Sequence, residues 1–535
     1  MLAALPMRKR SHWAWGYEDR FPSDDARRDL ATRIAMLLQV DEPKLQALPS
    51  LDDARVGESR FTGKNVKFLD VDRETRIRHT YGRGYPDVLR GYHGDFLASP
   101  DAVAFPSNDH DVLELLRWAG SEGVKVVPYG GGTSVVGGVE RDSKSTPVVS
   151  LSLRKMNRML ELDPISRSAL IEGGALGPEI EQSLSKSHHT LRHFPQSFEF
   201  STLGGWIATR AGGHFATVYT HVEDLVQSLC MVTPSGIFET KRLPASGAGP
   251  SPERFVAGSE GTLGVITRAW MRVFDRPSWR GSVSVYFATF REGAEAVRAI
   301  AQSQLHPHNC RLLDPYEALI NNVPSEGGAV LLLGFESNGA SRRAALEEAL
   351  SLALANGGRA PRGIQEKVGD ARGGDASAET WRQAFLDGPY LQSALVSLGV
   401  IADTFETACT WSELDALLTT VRERVEGAIR EVAGNGVLTC RFTHVYPDGP
   451  APYFTFIMPA RAGHELEQWI AVKRAACEAL VTVGATITHH HAVGRVHLPW
   501  FEREASPLFL RALQAAKDEL DPHAVLNPGV LLPRR

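Results

Sequence analysis

The run THHHAVGR places three histidines, His489, His490 and His491, in succession. Imidazole titrates near pH 6.5, so it both takes and gives protons under ordinary conditions. Neighbouring residues of an extended chain point to opposite sides. At most two of the three therefore serve one site, and the pattern predicts proton carriers. No HExxH spacing accompanies them, so no metal centre is expected. Tyr453, in PAPYFTF, offers a phenol suited either to proton transfer or to filling one face of a strand. His193, ahead of FPQS, is a further imidazole whose role its neighbours leave open.

A different chemistry is written in VVPYGGGTSVVGG. Gly130, Gly131 and Gly132 adopt backbone angles closed to other residues, and successive N–H groups in such a turn form an anion-binding concavity. Thr133 and Ser134 add hydroxyl donors. Taken alone, the turn reads equally as an anion cradle or as a plain loop. There is no GxxxxGK[ST], and no GxGxxG followed by a helix and an acidic residue. An ATP loop and the ordinary dinucleotide fold are therefore excluded. Two more windows carry the same texture, HFPQSFEFSTLGGWIATRAGGHFATVYTHVEDLV and AGSEGTLGVIT. Three glycine-bounded runs between Val126 and Thr267 read as walls of one extended ligand site.

The elements that position these groups follow from periodicity. VKVVP is a strand that delivers the first turn. NDHDVLELLRWAG reads as an amphipathic helix capped by Asn108 or Asp109. From residue 281 strands alternate with alanine-rich helices such as ALEEALSLALA and ELEQWIAVKRAACEALV, which predicts a sheet covered on one side by helices. Residues 356–380 are polar and glycine-rich and are expected to be a mobile surface segment able to gate a site. The expected division is an N-terminal region 1–90 packing on the cofactor domain, a cofactor domain 91–280, a cap 281–490 and a C-terminal segment 491–535 returning to the cofactor domain.

Composition narrows the function. With 535 residues, 43% hydrophobic and 23% charged, the chain is long enough for two cores. A net charge of −5 argues against nucleic acid as a partner. Five scattered cysteines without a CxxC pair predict neither disulfides nor a thiolate metal site, and a cytoplasmic setting. No run of 18 apolar residues predicts a transmembrane segment. The basic start MLAALPMRKR would allow weak peripheral contact with a membrane, a solvated terminus being the plainer reading.

PYGGGTS, FEFSTLGGWIATRAGG and GSEGTLGVIT together resemble the FAD-binding domain of the vanillyl-alcohol oxidase superfamily. WAWGYED, GRGYPDVLRG, CRFTHVYPDGPAPYFTF, THHHAVGR and LNPGVLLP extend the resemblance to its alkyldihydroxyacetonephosphate synthase branch. The resemblance implies an α+β, two-domain FAD-binding fold of that type with an antiparallel-sheet-plus-helices cap. It implies FAD as cofactor, non-covalent because no histidine or cysteine stands inside the GGGTS turn. Pro128, Tyr129 and Gly130 to Ser134 would wrap its pyrophosphate. Gln196, Ser197, Ser201, Thr202, Gly204 and Gly205 would line the dinucleotide. Glu260, Gly261, Gly264 and Val265 would close around the adenosine, with Arg210 and His214 in the same wall.

By the same resemblance Tyr453, His489, His490, His491 and His193 would surround the reacting centre. The implied reaction exchanges the acyl group of acyl-dihydroxyacetonephosphate for a long-chain alcohol through a flavin N5 adduct, on a small-molecule or lipid substrate, in an enzyme whose relatives are often homodimers. One departure bears on the substrate: Gln392, in GPYLQSALV, stands where the branch has an arginine. Glutamine lacks the charged fork that a phosphate prefers, so Arg382, Arg441 or Arg495 would have to supply the charge. The alternative reading is an oxidase or dehydrogenase that takes hydride from an alcohol or 2-hydroxy acid.

Overall fold

The computed structural model describes residues 8–61, 68–141, 145–215, 217–369 and 375–533. Asn108 caps the predicted helix Asp109–Glu122, its side chain accepting from the Asp111 N–H, and Gly123 ends it at φ +67°. Such a cap contributes about 1 kcal/mol. Val112, Leu115, Leu116 and Ala119 face inward at helical spacing and pack on the strands Lys125–Tyr129 and Val148–Ser152.

Those strands are parallel neighbours in a four-stranded sheet with Ala102–Ala104 and Leu69–Asp70. The helix Asp109–Glu122 carries the chain across from Ala102–Ala104 to Lys125–Tyr129, and both of these strands pair in parallel with Val148–Ser152 lying between them. A five-stranded antiparallel sheet, Met159–Asp163, Ser168–Glu172, Val265–Arg272, Val226–Thr233 and Gly236–Glu239 in spatial order, completes this half. The chain end returns here: Val126 N–H donates to Val525 O at 2.9 Å, and Asn527 N–H donates to Val126 O at 2.9 Å.

The second half is a seven-stranded antiparallel sheet. Its spatial order is Gln365–Val368, Trp279–Phe287, Ala329–Ser337, Asn309–Leu313, Val437–Val445, Pro450–Pro459 and Val400–Glu406. On one face Phe405, Phe454, Phe456, Leu438 and Cys440 pack against the helices Leu414–Ala433 and Glu465–Thr482. Side chains alternate along a strand, so residues 402, 404, 406, 441, 453, 455 and 457 fall on the opposite face, toward the first half. The result is the two-domain α+β architecture with an antiparallel cap that the resemblance implies.

Residues 356–380 include regular elements that their composition did not announce. Gln365–Val368 is a strand paired with Trp279–Phe287, and a helix runs from Ala376 to Val396. Edge pairing satisfies the backbone of a polar stretch that has few apolar residues to bury. Residues 370–374, the centre of the expected mobile segment, lie outside the described residues.

Between the halves runs the N-terminal strap. Trp13, Ala14 and Trp15 are buried, the Trp15 N–H donates to Ser393 Oγ at 2.9 Å, and Arg20 pairs with Glu199 and Asp387. No helix among the described residues is long and apolar enough to cross a membrane.

Candidate functional site

The three glycine-bounded runs meet at one cavity of about 350 Å³. They interlock by backbone approach. A Cβ on Gly131 would lie 1.8 Å from Phe200 O in the second run, and one on Gly261, at φ +72°, 2.9 Å from Pro128 in the first. Only glycine permits this spacing, so the turns form one wall. Pro128 through Ser134, Gln196, Ser197, Ser201, Thr202, Gly204, Gly205, Glu260, Gly261, Gly264 and Val265 all line the cavity. A wall of bare backbone with amide and hydroxyl donors fits a dinucleotide pyrophosphate. Arg10 reinforces the turn from behind, its Nη1 donating to Gly131 O at 2.8 Å. Burial, with repulsion from Arg83, pulls that guanidinium down to about 10.

Glu260 is the carboxyl group of the three runs that lines the cavity. Its carboxylate accepts from the N–H groups of Val493 and Gly494 at 2.9 and 2.8 Å, tying the third turn to the loop after the histidine run. Burial pushes it up to about 7, against those two hydrogen bonds.

The opposite wall belongs to the cap sheet. Register places Arg441 directly across from Tyr453, and Tyr453 across from Glu406. The Arg441 guanidinium lies 3.8 Å from the Tyr453 ring centroid, and the Tyr453 hydroxyl donates to Thr404 Oγ1 at 3.1 Å. Burial raises the Tyr453 phenol above its ordinary value, partly offset by Arg441. Arg311 lines the cavity from the neighbouring strand, fully buried between Trp381 and Phe385. Burial and then repulsion by Arg441 draw it down to about 9. Arg441 is bound to Glu317 and Arg311 rests on His214, so two buried cations face one carboxylate. Positive charge in excess of that one carboxylate is an arrangement that an anion would balance. Beyond Tyr453 the cavity turns apolar along Ile320, Leu391, Leu395, Ala402 and Ile457, backed by Leu30, Ile34 and Leu38 of the helix Asp24–Leu38.

His490 and His491 line the cavity, with ring centroids 6.0 and 5.5 Å from that of Tyr453. Glu406 fixes their loop by accepting from the N–H groups of His489, His490 and His491 and from the Thr488 hydroxyl. Burial opposes ionisation of that carboxyl, but the facing histidines and the Thr488 hydroxyl hold it well below the usual range. Burial lowers His490 to about 3 and His491 to about 4 against the pull of Glu406, so both rest neutral.

His489 turns away from the cavity and stands behind His490. Of the remaining predicted residues, Gln392 lines the cavity, while Arg210, His214 and His193 stand outside its lining. The Arg210 side chain is 55% exposed and paired with Glu223. His214 supports Arg311. His193 is completely buried against the Trp206 ring. The Gln392 Oε1 accepts from the Trp15 indole N–H at 2.9 Å and its Nε2 donates to Ala402 O. Arg495 spends its guanidinium on Gly137 O and Pro528 O. The Arg382 side chain lies outside what is described.

Sequence reasoning missed Arg311, Trp15 and Glu406. Its available signal was an arginine inside an apolar strand, as in NCRLL, which must find a buried partner. No metal centre was expected, yet among the described residues His444, His489 and His490 bring possible ligand atoms within 4.8 Å of one another.

Comparison with known proteins gives the same outline. Residues 100–241 match the family described as FAD binding domain, and residues 276–531 match FAD linked oxidases, C-terminal domain. The chain is 30% identical over 484 residues to alkyldihydroxyacetonephosphate synthase of Dictyostelium discoideum, covering 87% of this chain and 78% of that protein. It is 30% identical over 493 residues to the same-named protein of Trypanosoma brucei brucei, covering 87% and 78%. A solved structure of alkyldihydroxyacetonephosphate synthase superposes with a TM-score of 0.81 over 98% of both chains at 24% identity, which shows a shared fold.

Proposed function

The chain belongs to the FAD-linked oxidases of the vanillyl-alcohol oxidase type, and from that premise we propose that it exchanges the acyl group of an acyl-dihydroxyacetonephosphate-like ketone for a long-chain alcohol. The observation that carries this reading is the pair of buried arginines, Arg311 and Arg441, in one cavity with Tyr453 and an apolar arm. An amphiphile with an anionic head and a hydrocarbon chain matches both features at once.

Gly130 to Ser134, Gln196 to Gly205 and Glu260 to Val265 would hold FAD without a covalent link. When bound, it supplies an electron-accepting ring at the substrate carbon. The protein's own residues do the rest. Arg311 and Arg441 seat the anionic head and thereby fix the carbon beside the ketone. Neutral His490 takes the proton from that carbon through its lone pair. Tyr453, oriented by Thr404 and Arg441, donates a hydrogen bond to the departing carboxylate oxygen. Ile320, Leu391, Leu395 and Ile457 hold the chain and exclude water. Acid leaves and alcohol enters, with no net oxidation.

Gln392 favours a second reading. Its amide is neutral and committed to Trp15 and Ala402, so the head site is less positive than an additional arginine would make it. A 2-hydroxy acid or alcohol, oxidised at the carbon that faces the flavin, would suit a weaker anion site.

The FAD-loaded protein, incubated with acyl-dihydroxyacetonephosphate and hexadecanol, is expected to release fatty acid in step with ether product while the flavin absorbance stays oxidised. Bleaching by a 2-hydroxy acid, with no exchange, would overturn the first reading in favour of the second.

A further inference from the structure

Behind His490 the hydrogen bonds continue away from the cavity. His490 Nδ1 lies 3.1 Å from His489 Nδ1. The other nitrogen of His489, Nε2, lies 2.8 Å from the Tyr446 hydroxyl and 3.1 Å from His221 Nε2. The Tyr446 hydroxyl is in turn 2.9 Å from Thr220 Oγ1. Of these groups only His490 lines the cavity. Tyr446 is half-buried and leads into the exposed residues Pro447 and Asp448. It is held rigidly there, its N–H donating to Gly449 O and its carbonyl accepting from the Trp411 indole.

We infer that His489 and Tyr446 form a proton relay between His490 and the edge of the protein, with His221 holding the His489 ring in place, so that the proton taken from substrate need not leave through the substrate's own channel. The inference rests on the reading above, in which His490 accepts that proton. The transfer balances at every atom. His490 gains a proton at its second nitrogen and passes the one on Nδ1 to His489 Nδ1. His489 releases its own from Nε2 to the Tyr446 oxygen, and Tyr446 passes its hydroxyl proton to water at the protein's edge, with Thr220 Oγ1 at 2.9 Å orienting the phenol.

Three features suit the groups to this task. Burial keeps His489 and His490 neutral at rest, so each retains one lone pair and one N–H, the two sites that a relay requires. One carboxylate stands beside His490 and another beside His221, where they stabilise a passing imidazolium. Glu406 Oε2 is 3.4 Å from His490 Nδ1, and Glu223 Oε1 is 3.9 Å from His221 Nδ1 while paired with the exposed Arg210. His444 packs its ring against both His489 and His490 and donates through Nε2 to Gly213 O, which fixes it beside the relay rather than in it. Tyr446 and His221 act through His489 and touch no substrate, so they are positioning residues.

The test uses the FAD-loaded protein with ¹⁵N-labelled histidine and no added substrate, so its outcome does not depend on which reaction is catalysed. Exchange of the His489 and His490 ring N–H with deuterated water is read by NMR. Rapid exchange is expected despite burial, slowed at least about tenfold in Tyr446→Phe and less in His221→Asn. Flavin absorbance and circular dichroism establish that the variants fold. Unchanged exchange in the folded double variant would overturn the relay. So would one equivalent of transition metal bound at His444, His489 and His490, because a ligated nitrogen cannot pass a proton.

Discussion

The cofactor cradle and the cap wall line one cavity from opposite sides, yet they are made of different materials. The cradle presents backbone, and its specificity comes from how closely Gly131 approaches Phe200 and Gly261 approaches Pro128. The cap wall presents charge, with Arg311, Arg441 and Glu317 drawn from different elements and buried together. Backbone amides carry partial charge and lose little on desolvation once paired. A buried guanidinium loses several kcal/mol and needs partners or a ligand to recover it. The cradle is therefore suited to a permanent occupant, and the cap wall gains from an anion that comes and goes.

That contrast breaks most sharply at Gly131. In Gly131→Val the new side chain collides with Phe200 O, so the purified variant is expected to carry almost no flavin, read as the ratio of absorbance at the flavin band to that at the protein band. Full flavin occupancy in a folded variant would remove the cradle from the site. On the other wall, Arg311→Met is expected to keep its flavin and raise KM on the order of 10- to 100-fold, the loss of one charge-assisted contact. Loss of flavin there instead would mean that the two walls are not separable.

Glu260 gives the smallest effect and sits where the walls are tied. Its folded pKa, about 7, is above the ordinary 4.5, so the folded protein holds an extra proton between those values. The resulting stability is present below about pH 4.5 and is lost as pH rises through about 7, by up to about 3 kcal/mol for a fully buried group. Glu260→Gln is expected to flatten that part of the melting temperature's pH dependence. An unchanged slope would assign it to other carboxylates.

Much of the fold was legible because its signals are local. Asn108 with its following apolar period set a helix, and VKVVP followed by three glycines set a strand and a turn. The polar run 356–380 misled, because composition says nothing of an edge strand that borrows its pairing from Trp279–Phe287. In the site, His490, His491 and Tyr453 were identifiable from residue type, and the cradle from three repeated glycine textures. Arg210 and His214 fell in the right windows, but their side chains point to Glu223 and Arg311. Direction within a loop is set by the partners that it meets.

The sequence by itself determined the local helices and strands, the three glycine-bounded turns and the presence of proton-carrying side chains. Backbone conformation and hydrophobic period depend on residues only a few positions apart. Only the tertiary structure decided which charges line the cavity, that Gln392 is held by Trp15 from 377 residues away, and that His489 leads to Tyr446 instead of the cavity. A buried charge or imidazole takes its chemistry from whatever surrounds it, and here those surroundings come from strands and loops hundreds of residues apart.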